Sequence, residues 1–250
     1  QLELNQNQLT ELPDDFGLLT DLVHLRLNQN FLSELPGSFS GLVSLRSLGL
    51  NENQLVGLPA AFGRLSGLQQ LSLNKNRLVA LPESFCALSA LQTLGLSGNR
   101  LTQLPEDFGR HRVLQIVGLS DNLLSELPDS FGQLRTLQTL GLGQNRLTTL
   151  PASFGRLSGL QVLGLADNLL ATLPTSFRLL VELRQLDLTN NKLVKLPNIF
   201  TGLDALDRLE LDRPLRFQLR LQRAFRLASR ILEPLCCCWR RRRAFNPWAA

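Results

Sequence analysis

The sequence predicts an α/β solenoid shaped as a horseshoe, with a parallel β-sheet on its concave face and short 3₁₀ or helical returns on its convex face. Three ladders in one register predict it. Asparagine recurs at Asn7, Asn30, Asn53, Asn76, Asn99, Asn122, Asn145, Asn168 and Asn191, every step 23 residues. Proline follows in phase at Pro13, Pro36, Pro59, Pro82, Pro105, Pro128, Pro151, Pro174 and Pro197. Phenylalanine follows three residues later each time, from Phe16 to Phe200. Nine positions in each ladder without an insertion exclude coincidence.

Each part of the unit has a physical reading, seen in the stretch Leu137–Leu160. Leu140-x-Leu142 alternates with period two, so it forms a short strand with its leucines inward. Asn145 closes the strand, where its amide can donate to and accept from the turns above and below. Pro151 fixes φ and stops the strand from extending. Phe154, Leu157 and Leu160 follow at spacings of three, which suits a 3₁₀ or single-turn helical return. One coil cannot bury its own leucines. Stacked coils can.

These residues, L-x-x-L-x-L-x-x-N-x-L-x-x-L-P-x-x-F-x-x-L, resemble a leucine-rich repeat from Leu2 to about Leu211. The 23-residue length, with two residues between Pro and Phe, is similar to the Ras-group repeats of intracellular signalling scaffolds such as the Ras-suppressor and Scribble/Erbin proteins. That resemblance implies a non-catalytic protein-interaction module in signal transduction, whose partner is a small GTPase or a signalling enzyme. It also leaves room for a regulatory segment of a larger signalling enzyme, such as a kinase or a Roco-type GTPase.

The ladder breaks twice. His111, flanked by Arg110 and Arg112, stands where leucine is due and predicts a wetter or distorted convex turn. Pro214 stands where a tenth asparagine is due, and Arg220 where a proline is due. Residues 1–212 are therefore read as the solenoid and 213–250 as a basic tail. In the tail, an amphipathic helix over 221–235 precedes Cys236, Cys237 and Cys238 and then Arg240, Arg241, Arg242 and Arg243. Cysteines beside a polybasic run are candidates for lipidation and for contact with an anionic membrane. A solvated basic tail, or a non-native continuation, is the plainer reading. The arginines could meet phosphates, but no module that reads nucleic-acid bases is present.

Charge follows the same division. Residues 1–212 carry 16 Lys/Arg against 20 Asp/Glu, whereas 213–250 carry 10 Arg against one acid, Glu233. The lack of methionine and the start in mid-unit suggest a piece of a longer protein. No spaced set of cysteines implies a disulfide framework, and no Asn starts a glycosylation sequon. Both lean towards a cytoplasmic chain, peripheral to a membrane if the tail anchors it. No run of 18 apolar residues is long enough to cross a bilayer.

Outward strand positions form the candidate partner-binding face. Their central column includes Gly95, Gly118, Gly141 and Gly164, which either open bare backbone to a partner or record duplication of one unit. Charged and polar groups flank it: Glu3, His24 and Arg26 at one end, Gln185, Asp187, Arg208, Glu210 and Asp212 at the other. No catalytic set, metal site or cofactor is expected. His24 and His111 lie 87 residues apart, close to four coils or roughly 18 Å, too far to share a metal or a proton, and each reads as an isolated surface residue. Cys86 reads as a passive small residue on the convex side.

Overall fold

The computed structural model describes residues 1–194 and 202–213. The chain divides into two compact units, Gln1–Glu210 and Leu211–Ala250. In the second unit only residues 211–213 are described, and Leu211 is buried. Pro197, Phe200, Pro214, Arg220, the 221–235 segment, Cys236–Cys238 and Arg240–Arg243 all lie outside the described residues.

In the first unit, ten short strands form one parallel sheet in chain order. They are β1 (Leu2–Glu3), β2 (His24–Arg26), β3 (Ser47–Gly49), β4 (Gln70–Ser72), β5 (Thr93–Gly95), β6 (Ile116–Gly118), β7 (Thr139–Gly141), β8 (Val162–Gly164), β9 (Gln185–Asp187) and β10 (Arg208–Glu210). Register follows the repeat: Leu48 faces Leu25 and Leu71, and Val117 faces Leu94 and Leu140. The expected solenoid is the observed fold.

Two internal columns hold the coils together. The ladder asparagines are buried from Asn30 to Asn168. Asn145 is typical: its Nδ2 donates to the carbonyls of Leu119 (2.9 Å), Leu142 (3.1 Å) and Gly143 (3.2 Å). Its Oδ1 accepts from the Leu124 amide at 3.0 Å. One side chain thus serves backbone groups in two coils that strand pairing cannot reach. On the opposite side the phenylalanines stack nearly parallel, with ring centroids 5.7–6.4 Å apart.

The return turns begin at proline because the Phe N–H bonds the proline carbonyl, as in Phe39 to Pro36 at 2.9 Å. They come in two lengths. Five-residue 3₁₀ turns occur where serine precedes phenylalanine, as in Gly37–Gly41, Glu83–Ala87 and Asp129–Gln133. Three-residue turns occur where Asp15, Ala61 or Asp107 takes that place: Phe16–Leu18, Phe62–Arg64 and Phe108–Arg110. Short and long turns therefore alternate three times, a 46-residue superperiod hidden in the 23-residue one. Each pair is tied by the glycine after phenylalanine: Gly17, Gly63 and Gly109 donate their N–H to Ser38, Ser84 and Ser130 at 3.1–3.3 Å.

That closeness leaves no room for a side chain. A Cβ on Gly63 would lie 1.8 Å from the Ser84 carbonyl oxygen, whereas one on Gly37 would meet nothing within 4 Å. Gly63→Ala is expected to lower stability by about 2–3 kcal/mol, through forced backbone displacement. Gly37→Ala should stay within about 0.5 kcal/mol of the parent. Urea titration of the two variants checks the contrast.

His111 corrects the sequence expectation. It is fully buried, and its ring stands edge-on to Phe85 (centroids 5.6 Å) and to Phe108 (5.1 Å). Neither a wet turn nor a surface histidine is found. Its Nδ1 faces the Leu88 carbonyl at 3.1 Å, so Nδ1 carries the proton. Nε2 is buried without a partner.

Candidate functional site

The exposed face of the sheet is made by residues either side of each inward strand leucine. A second asparagine ladder, overlooked in the sequence although it shares the same period, runs along it. Asn5, Asn28, Asn51 and Asn74 follow the strands, and each Oδ1 accepts the backbone N–H one coil on, at 2.8–2.9 Å. From Ser97 onwards the column turns small: Ser97, Ser120, Gly143, Ala166.

The glycine column is consequently not uniformly bare. A Cβ on Gly49 would come within 2.7 Å of the Asn28 side chain, and one on Gly95 within 2.5 Å of Asn74. These two glycines make room for amides. At Gly118 and Gly141 the nearest neighbours are the Ser97 and Ser120 hydroxyls, at 3.0 and 3.1 Å. At Gly164 a Cβ would meet nothing within 4 Å. The open floor therefore lies over β6 to β8, flanked by Ile116, Thr139 and Val162 on one side and by Ser120, Gly143 and Ala166 on the other. No charged side chain stands in those columns.

Charges gather at both ends, as the sequence suggests. Glu3 and Arg26 pair at 3.0 Å across adjacent strands, with exposed His24 on the same strand as Arg26. At the other end Arg208 pairs with Glu210, its Nε 2.8 Å from Oε1. Asp187 Oδ1 accepts from the Thr189 N–H at 3.0 Å and from its hydroxyl at 2.7 Å. Gln185, Asp187, Arg208, Glu210 and Gly164 meet in one depression of about 180 Å³. Glu3, His24 and Arg26 sit seven or more strands away, so the two charged ends are separate. Asp212 lies in the second unit.

Beside the strands runs a column of left-handed residues just before each ladder asparagine, including Gln29, Glu52, Lys75, Asp121, Gln144 and Asp167, with φ of 54–57°. Gly98 takes that place once, at φ 71°. Within this column Lys75 meets Glu52 at 3.0 Å, and Gln29 donates to Glu52 at 3.1 Å. The Gln29 amide and then the Lys75 ammonium hold the Glu52 carboxyl below its usual range.

Chemistry finds little purchase. Burial, reinforced by Glu83 and Asp107, pushes the Cys86 thiol up to about 11, so it stays protonated and unreactive at neutral pH. Among the described residues no group of three or more His, Cys, Asp or Glu could hold a metal ion. Among them, too, no helix is long and apolar enough to cross a membrane.

Three family models match the chain: a leucine-rich repeat region over residues 84–167, a leucine rich repeat over 1–55 and 59–101, and a further one over 182–203. The chain is a leucine-rich repeat protein. No curated protein sequence matches it. Among solved structures, this leucine-rich repeat protein is similar to one from Leptospira interrogans, 29% identical over 84% of this chain and 65% of that one, TM-score 0.54. It is similar to the ectodomain of the plant membrane receptor kinase GASSHO1/SCHENGEN3 from Arabidopsis thaliana, solved with CASPARIAN STRIP INTEGRITY FACTOR 2. There the identity is 34%, the coverage 84% of this chain and 26% of that one, and the TM-score 0.76. The Drosophila Toll–Spatzle complex matches at 31%, over 82% of this chain and 28% of that one, TM-score 0.70. This leucine-rich repeat protein thus spans less than two thirds of each of these relatives. Domains of this family are generally protein-interaction modules.

Proposed function

We propose that the sheet face binds a protein partner over β6 to β8, and that the module acts in intracellular signal transduction. The open, uncharged floor over Gly118, Gly141 and Gly164 carries this reading, since it lets a partner backbone approach the sheet closely. Rigid stacking supports it as well: a preformed face loses little conformational entropy on binding. The intracellular assignment, with a cytoplasmic location and a small GTPase or signalling enzyme as partner, rests on the 23-residue unit with two residues between Pro and Phe. Contact of the 213–250 segment with an anionic membrane is a separable part of the proposal, supported by its ten arginines against one acid.

Pull-down from cytosol with the full chain tests the face. Gly141→Arg plants a long cation on the floor, where only the Ser120 hydroxyl stands near its Cβ. It should weaken the partner at least tenfold, while Gly37→Arg on the return turns retains it. Equal retention by both variants would place the contact elsewhere.

A further inference from the structure

We infer that the depression where the glycine floor meets the charged end is a subsite for a cationic side chain, lysine or arginine, of a bound peptide segment. This inference rests on the reading of the sheet face as the partner surface and names the chemistry that face selects. The depression, about 180 Å³, is lined by Val162, Gly164, Gln185, Asp187, Arg208 and Glu210. One long side chain fills such a space; a folded domain does not.

Charge complementarity decides the occupant. Arg208 is engaged by Glu210 through both Nε and a terminal nitrogen, at 2.8 and 2.5 Å, so these two charges offset each other. Asp187 is left as the net charge of the depression. Among the described residues no cation pairs with it. Its carboxylate is aimed by Thr189, whose N–H and hydroxyl both bond Oδ1. Gly164, with open space above it, joins the seat to the uncharged floor. At the other end of the sheet Glu3–Arg26 and Glu52–Lys75 are self-paired, and the amides of Asn5, Asn28 and Asn51 serve the next coil. The face is therefore polar in direction.

Its length sets the ligand. From Gly118 to Gly164 there are two strand spacings, about 10 Å, which an extended peptide covers in about three residues. The segment selected is thus about three small or apolar uncharged residues adjoining one Lys or Arg.

A peptide array of randomised decapeptides, probed with the full chain, tests this directly. Selected peptides should carry Lys or Arg next to an uncharged stretch of about three residues. Asp187→Asn keeps an oxygen acceptor for Thr189 and removes the charge, so preference for the cation should fall at least tenfold. Asp187→Lys should turn the preference towards Asp or Glu, with the melting curve confirming a folded chain. Selection of peptides with no cation preference, or a preference unchanged in Asp187→Lys, would overturn the subsite and leave the face reading intact. If Gly141→Arg still selects the same peptides, the face reading fails. If the parent chain selects no peptide, the subsite is overturned.

Discussion

His111→Leu is expected to raise stability at neutral pH and to flatten its dependence on pH between about 5 and 7. Eight other coils carry leucine at this position, from Leu19 to Leu203. In this coil a buried imidazole replaces it, and its Nε2 has no partner. An unsatisfied buried acceptor costs about 1–3 kcal/mol. Removing the imidazole does not orphan the Leu88 carbonyl, which still accepts from the Leu91 N–H at 3.3 Å. A net gain of about 1–2 kcal/mol follows.

The pH effect has a definite sign. Burial lowers the His111 pKa from its ordinary value of 6.5, and the hydrogen bond to Leu88 only partly opposes this. In the unfolded chain the ring is protonated below about 6.5, while in the folded chain it stays neutral to lower pH. The unfolded state therefore binds more protons in that window, and stability falls as the pH drops through it. Protonation would place a charged N–H between Phe85 and Phe108 with no acceptor, in the middle of the ring stack. Urea titrations at pH 5, 6, 7 and 8 measure this. The parent should lose midpoint steadily below about pH 6.5 and the variant should not. Parallel slopes in parent and His111→Leu would contradict the burial argument.

Asn145→Ala should cost about 3–4 kcal/mol, the other large effect. The Leu124 amide would lose its acceptor inside the core, and the carbonyls of Leu119, Leu142 and Gly143 would each lose a donor. Leu119 keeps the Asn122 amide and Leu142 keeps that of Asn168, which bounds the damage. Asn145→Asp should be worse at neutral pH: it keeps the acceptor for Leu124 but points a carboxylate oxygen at three carbonyls. Asn191→Ala should cost less than Asn145→Ala, since Asn191 is half-exposed. Thermal melts of the three variants rank them, and a solenoid of this kind should show the loss as local unfolding of adjacent coils before global melting.

The period, the strand register and the roles of Asn145, Pro151 and Phe154 follow from spacing. A 23-residue unit stacks its like residues directly above one another, so a column in sequence is a column in space. By the same logic the Asn5–Asn74 ladder and the alternation of turn lengths were legible, though fainter, because each occupies only part of the chain. The charged ends were legible as sets, and four members of one of them, Gln185, Asp187, Arg208 and Glu210, do share a depression.

His111 was not legible. A polar residue in a convex column reads as exposure, and only the stack reveals that an imidazole can stand edge-on between two phenyl rings and fill a leucine's place. The glycine column resisted for a related reason. Gly49, Gly95, Gly118, Gly141 and Gly164 are alike in sequence, but what stands over each one is set by the side chain one coil back: an amide at the first two, a hydroxyl at the next two, nothing at the last. The sequence by itself determined that this chain is a stacked-coil solenoid, because periodicity is a property of the chain alone. Which parts of its face are open was decided only by tertiary structure, because free space depends on how far a neighbouring coil's side chain reaches.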